Sequence, residues 1–209
     1  GSPMFEVLNY SLKKINKSSI LNKLKIEKEN YFLVSCHREE NIDSDKNFNK
    51  LINLLNLLAE KYEMPIIVSV HPRTKKIINE KKPNLSKLIN LHTPFGFNDY
   101  NFLQINSFVV LSDSGTISEE SSILNFKAIN IRESHERPEA MEEAAVIMAG
   151  LHSERVIQGI EALKNQKVGE KRNLNLVKDY SINNISLKVE RIIISYLDYI
   201  NRVVWQKES

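Results

Sequence analysis

The sequence predicts an α/β fold built on a doubly wound, parallel, Rossmann-like sheet, and three observations predict it. Short apolar runs rich in β-branched residues recur at 31–36, 65–70 and 108–111, the pattern of strands buried on both faces. Segments of helical period separate these runs, so strand and helix alternate in the order that demands crossover connections and parallel pairing. Each of these runs, and a shorter one at 128–131, also ends directly in a polar loop: CHREENID, HPRTKK, SDSG and RESHERPE. Ligands bind outside the carboxyl ends of such strands, so these loops are expected along one edge of the sheet.

Residues 1–3 read as an expression scar and are set aside. Residues 4–30 form a polar, partly helical lead-in whose apolar points are Ile15, Ile20, Leu21, Leu24 and Ile26. The Rossmann-like domain spans 31–182. Its first strand, 31–36, is followed by a helix over 45–62 on which Phe48, Leu51, Ile52, Leu55, Leu58 and Ala59 recur at helical spacing. A second strand at 65–70 leads into a basic helix ending near Lys82, then a strand near 88–91, the loop TPFGFNDY, and a short helix at 101–106. The run 108–111 is the central strand. Asp113-Ser114-Gly115 turns the chain into a helix over 117–124, where Asn125 stands at a position that tolerates the left-handed conformation. A strand at 128–131, a helix opening on Pro138, a last strand at 144–150 and a helix over 153–164 capped by Ser153 complete the unit. Residues 183–209 form a long C-terminal helix with Val189, Ile192, Ile193, Tyr196, Leu197, Ile200 and Val204 on one face.

Composition narrows the function classes. A chain of 209 residues with a net charge of +3 is an ordinary globular protein whose scattered cations suit a phosphate-bearing small molecule better than a polynucleotide. No apolar run is long enough for a membrane span. The single cysteine, Cys36, has no intrachain partner, and no signal peptide precedes it, so a reducing cytoplasm is expected. The histidines lack zinc-like spacing, and neither a metal nor a nicotinamide cofactor is expected.

The segment SDSGTISEES is a strand–loop–helix anion site in outline. Unpaired N–H groups and the positive dipole end open the helix, and Gly115 lets a ligand oxygen approach the main chain. Glu120, in the first turns, could accept two hydrogen bonds from a ribose diol. A capping box at Thr116 and Glu119, which needs no ligand, fits the same pattern equally well. Arg38, Arg73, Arg132 and Arg137 follow strands and suit phosphate oxygens. A thiol nucleophile at Cys36 beside His37 is disfavoured, since adjacent residues in a strand point to opposite faces.

Together, SDSGTISEESSILNFKAINIRESHERPEAMEEA resembles the nucleotide-binding signature of the non-hydrolysing UDP-N-acetylglucosamine 2-epimerases, over more than thirty contiguous residues. CHREEN and HPRT resemble the family's two histidine loops. The resemblance implies His37, Arg38 and Glu40 in the catalytic site; His71 and Arg73 near the diphosphate; Ser114, Gly115 and Thr116 holding it; Glu120 on the ribose hydroxyls; Arg137 on phosphate; and Tyr100 beside the uracil. It implies the C-terminal half of a two-domain glycosyltransferase-B-type fold, with the cleft between the halves, a UDP-sugar substrate and a homodimer when complete. The N-terminal half and its carboxylates are missing, so this chain alone is expected to be inactive and the apolar face of its last helix partly exposed.

The detail of the segments resembles a branch acting on a 6-deoxy UDP-sugar on the way to UDP-N-acetyl-L-fucosamine for capsule or O-antigen. Two other classes use similar chemistry. A sugar-nucleotide glycosyltransferase also places diphosphate on a helix N-terminus, although HERPE speaks against it, and a stand-alone UDP-binding module would lack the second half altogether.

Overall fold

The computed structural model describes residues 1–134 and 137–207 and, at Glu39 and Glu40, the backbone alone. The chain runs α1 (Pro3–Ile15), α2 (Ile20–Leu24), β1 (Phe32–Ser35), α3 (Glu39–Ile42), α4 (Asp45–Tyr62), β2 (Ile66–Ser69), α5 (Pro72–Lys81), β3 (Ile89–His92), α6 (Phe97–Asn106), β4 (Val109–Ser112), α7 (Ile117–Leu124), β5 (Ala128–Asn130), α8 (Pro138–Glu142), β6 (Ile147–Met148), α9 (Ser153–Leu163) and α10 (Ile185–Tyr199). The six strands form one sheet in the order β3-β2-β1-β4-β5-β6, and every pairing is parallel. β1 lies between β2 and β4, with Phe32 opposite both Ile66 and Val109. The winding reverses there, and the carboxyl ends of β1 and β4 open a crevice.

Strand alternation divides the core. Phe32 and Val34 face the layer of α4 and α9, packing with Phe48, Leu55, Leu58, Val156 and Ile160. Leu33, Ile67 and Val110 face the opposite layer with Leu103 of α6 and Ile117 of α7. Burying each such side chain contributes roughly 1.5–3 kcal/mol, which fixes the register, since a one-residue slip would exchange the two faces.

The first thirty residues belong to the domain. Ser2 is 1% exposed, accepts from the Met4 N–H at 3.1 Å as the N-cap of α1, and is followed by Pro3 in the first turn, where its missing N–H costs nothing. Setting residues 1–3 aside from the fold is therefore corrected: they start a helix whose Leu8 and Ile15 pack with Ile123 of α7 and Tyr180.

Three element boundaries also differ from expectation. α6 begins at Phe97, because Gly96 adopts the extended N-cap conformation, and this puts Tyr100 on a helix. The last strand shrinks to β6 because Ala144 and Gly150 both have positive φ, which interrupts extended backbone on either side. At the start of α9 the cap position belongs to His152, with no side-chain cap, and Ser153 is already helical.

The loop after α9 has a structural task. Asn125 ends α7 in the left-handed conformation, and its Nδ2 donates to the carbonyls of Lys167 and Gly169. Arg172 donates to the carbonyls of Ser122 and Ile123 at 2.8 and 2.7 Å, satisfying the last turn of α7 with a cation at the negative end of its dipole. By contrast, α10 buries only its first residue, Ile185, and Val189, Ile193, Tyr196 and Leu197 are about half exposed. Among the described residues no helix is long and apolar enough to cross a membrane.

Candidate functional site

A cleft of about 270 Å³ opens at the carboxyl ends of the strands, lined by Ser35 at the end of β1 and His37 after it, Ser69 at the end of β2 and His71 after it, Pro94 and Phe95 after β3, Tyr100 of α6, and Ser114, Thr116 and Glu120 around the start of α7. Loops after four neighbouring strands thus meet at one place. Three of them, CHREENID, HPRTKK and SDSG, are loops the sequence places at this edge; the fourth is the loop after β3, while no described residue of RESHERPE is in the lining.

The start of α7 is where the capping-box alternative is decided. Thr116 gives its N-cap position no side-chain hydrogen bond. Its hydroxyl instead donates to Glu120 Oε1 at 2.9 Å and lies 3.0 Å from Ser114 Oγ. Glu119 accepts from Ser2 Oγ and pairs with Arg137. The box is not formed, and the first amides of α7 keep their affinity for an anion.

Glu120 projects into the same cleft. Gln104 Nε2 donates to its Oε2 at 2.6 Å, which holds the carboxylate in one orientation and leaves lone pairs on both oxygens. Desolvation pushes its pKa up, the donors Gln104 and Thr116 pull it down by less, and Glu119 adds repulsion. An ionised carboxylate held at such a cost is poised to gain from further donors. Tyr100 sits beside it, its phenol raised above the ordinary range chiefly by burial and secondarily by the charge of Glu120.

Asp113, read from sequence only as a turn residue, is fully buried and fastens the loops after β4 and β1 together. Its Oδ2 accepts from the backbone N–H groups of His37 and Arg38 at 3.0 and 2.8 Å and from Asn41 Nδ2 at 3.2 Å. Its Oδ1 has no hydrogen-bond partner and lies 3.7 Å from His37 Nδ1. His37 also approaches Ser35 Oγ at 3.3 Å, and its side chain is 45% exposed. The imidazole thus meets Ser35 and Asp113 on its Nδ1 side and is otherwise open toward solvent and cleft.

The arginines do not line the cleft. Arg73 pairs with Asp43 at 2.6 Å, Arg132 is 5% exposed, and Arg137 braces the phosphate-loop candidate from behind, with Nε on the Gly115 carbonyl at 3.2 Å and Nη2 on Glu119 at 3.0 Å. Arg38 holds the β1 loop through its backbone. The cleft lining itself is made of hydroxyls, imidazoles, aromatic rings and the carboxylate of Glu120, with Arg73 and Arg137 held in the pairings just given. The side chain of Glu40 lies outside the described residues, as do His135 and Glu136 of HERPE. Ser35, Ser69 and Phe95, absent from the sequence candidates, carry no motif signal, although their places at or just after strand ends could have suggested them. Among the described residues no cluster of three His, Cys, Asp or Glu could hold a metal ion.

Geometry and known proteins agree. The sequence profile of the UDP-N-acetylglucosamine 2-epimerase family matches residues 1–194. The chain belongs to that family. The structure of the UDP-N-acetylglucosamine 2-epimerase from Rickettsia bellii superposes with a TM-score of 0.86 at 45% identity, over 99% of this chain and 55% of that one. The enzyme from Methanocaldococcus jannaschii, solved in complex with UDP-GlcNAc and UDP, gives a TM-score of 0.80 at 29% identity, over 93% of this chain and 54% of that one. A curated UDP-N-acetylglucosamine 2-epimerase from Methanococcus maripaludis is 36% identical over 139 residues, 65% of this chain and 38% of its own length. The chain spans about half the length of these family members, and its sheet is one Rossmann-like half of their glycosyltransferase-B-type fold.

Proposed function

We propose that this chain is the UDP-binding half of a UDP-N-acetylhexosamine 2-epimerase. The observation that carries the reading is the uncapped start of α7 facing the same cleft as the oriented carboxylate of Glu120. An anion acceptor and a diol acceptor one helical turn apart match the diphosphate and ribose of a nucleoside diphosphate. In this reading Ser114, Gly115 and Thr116 hold the diphosphate through hydroxyls and amides, with His71, Arg73 and Arg137 supplying positive charge around it, Glu120 takes the ribose hydroxyls, and Tyr100 lies beside the uracil.

The catalytic roles fall to His37, Arg38 and Glu40 of the segment after β1. The reaction is loss of UDP from the sugar nucleotide to leave a 1,2-unsaturated sugar, followed by re-addition with C2 inverted. This half must then hold UDP throughout. To His37, whose backbone N–H is held by Asp113, we assign the exchange of a proton with the departing and returning diphosphate oxygen, while proton removal at C2 falls to the other half. That half is also the partner assigned to the exposed apolar face of α10, in a protein read as a cytoplasmic homodimer.

The test compares this chain with the full-length protein. By calorimetry the chain alone should bind UDP in the micromolar to millimolar range, ordinary for an incomplete site, and should not epimerise a UDP-N-acetylhexosamine. Turnover by the chain alone would overturn the division of labour.

Substrate choice within the family is a finer proposal. Glu39, two residues after His37, is opposite in charge to an arginine at that place, and on this sequence difference we favour the 6-deoxy UDP-sugar of the UDP-N-acetyl-L-fucosamine route. Supplying the full-length enzyme with UDP-GlcNAc and UDP-2-acetamido-2,6-dideoxy-L-talose separately decides it. Efficient conversion of the first and none of the second rejects this substrate while leaving the epimerase reading intact.

A further inference from the structure

We propose that Glu119 is a positioning residue for the diphosphate loop: held by Ser2, it fixes Arg137, and Arg137 fixes the peptide between Gly115 and Thr116. The proposal rests on the nucleotide reading above. Glu119 is 3% exposed although it carries a carboxylate, and two groups from distant parts of the chain converge on it. Ser2 Oγ donates to its Oε1, and Arg137 Nη2 pairs with its Oε2 at 3.0 Å. A buried carboxylate tolerated at this depth requires such partners, and its place in the first turn of α7 adds the favourable helix dipole.

The consequence for the loop follows from peptide geometry. Arg137 Nε donates to the Gly115 carbonyl at 3.2 Å. In a planar trans peptide the next N–H points the opposite way, so anchoring that carbonyl behind the loop turns the Thr116 N–H toward the cleft that Thr116 lines. That N–H makes only a long 3.4 Å approach to Ser114 Oγ, leaving it available to a ligand oxygen. Because Ser2 also caps α1, the same carboxylate ties the first helix to the loop, and a displacement of α1 would be felt at the diphosphate.

The role separates from general structural support by ligand. A positioning residue for the diphosphate loop should affect UDP and leave uridine untouched, since uridine reaches Glu120 and the base pocket without using the Thr116 N–H. In the full-length protein, Glu119→Gln is expected to weaken UDP about tenfold or more, the effect of losing a charge-assisted hydrogen bond, with uridine affinity within about twofold of wild type. Ser2→Ala should act in the same direction more weakly. The double variant Glu119→Gln/Arg137→Ala should bind UDP about as Arg137→Ala alone does, since the two act as one unit. Calorimetry with both ligands reads all of this, and uridine binding verifies that each variant is folded. Unchanged or tighter UDP binding in Glu119→Gln, equal losses for UDP and uridine, or additive losses in the double variant would each overturn the proposal. Should Glu119→Gln fail to fold, Ser2→Ala still decides, because full UDP affinity there removes the link. A wild-type protein that binds neither ligand would instead remove the nucleotide reading itself.

Discussion

Asp113→Ala is expected to lower stability by about 3–5 kcal/mol, the scale for removing one partner from a buried charged network. It should also abolish epimerase activity in the full-length protein. The carboxylate receives the His37 and Arg38 N–H groups and the Asn41 amide, and truncation removes the one acceptor that these three donors share. Each donor left unpaired costs on the order of 1–3 kcal/mol. Urea unfolding should show a lower midpoint with an unchanged slope, the signature of a native-state loss. Asp113→Asn should fall between the two, because its remaining oxygen can still accept from the backbone while its amide opposes Asn41. A midpoint within error of wild type for Asp113→Ala would mean that the loops after β1 and β4 do not depend on this bond.

Glu120→Gln should weaken uridine about tenfold or more, on the usual 1.5–3 kcal/mol for a hydrogen bond to a charged group, while making the empty protein more stable at neutral pH. The sign follows from the raised pKa. Burial lifts the folded-state value of Glu120 above the ordinary carboxylate range, so the stability it contributes is fully present below the unfolded value and is lost as pH rises through the folded one. Removing the charge removes that loss. A ribose diol donating to the ionised carboxylate has the opposite preference, so binding should release a proton and tighten as pH rises through the raised pKa. Uridine is the right probe, since its lack of phosphate leaves Glu120 to dominate. Calorimetry in two buffers of different ionisation enthalpy reads the proton count directly. Uridine affinity that is flat with pH, with no proton released, would rule out Glu120 as the ribose acceptor. A gain in stability at the expense of binding is the common trade at a functional carboxylate.

The alternation of apolar runs with helical segments was enough to predict the parallel sheet, because strands buried on both faces must be β-branched and apolar, and short polar loops between them leave few topologies. The same logic put His37, His71 and Ser114 on one edge. It did not reveal the bond from Asp113 to the His37 loop, since 76 positions separate the two residues and an aspartate before Ser-Gly reads first as a turn former. The fate of Thr116 and Glu119 was undecidable for a related reason: a capping box and a ligand site require the same residues locally, and it was Ser2 and Arg137 in space that drew Glu119 away from the helix start while Thr116 turned to Glu120.

What the sequence by itself determined was therefore the fold class, the edge that carries the site, and the loops that reach it. These depend on side-chain period and on strand–loop–helix order, which are local properties. Tertiary structure alone decided that Arg137 holds the Gly115 carbonyl and Glu119 while Arg73 pairs with Asp43, that residues 1–3 belong to the fold, and that Asp113 and Glu119 are buried anchors. Each of those outcomes is a competition between partners from distant segments for the same donor or acceptor. Burial makes such competition decisive, because a charged or polar group removed from water must take whichever partner the fold brings within about 3 Å.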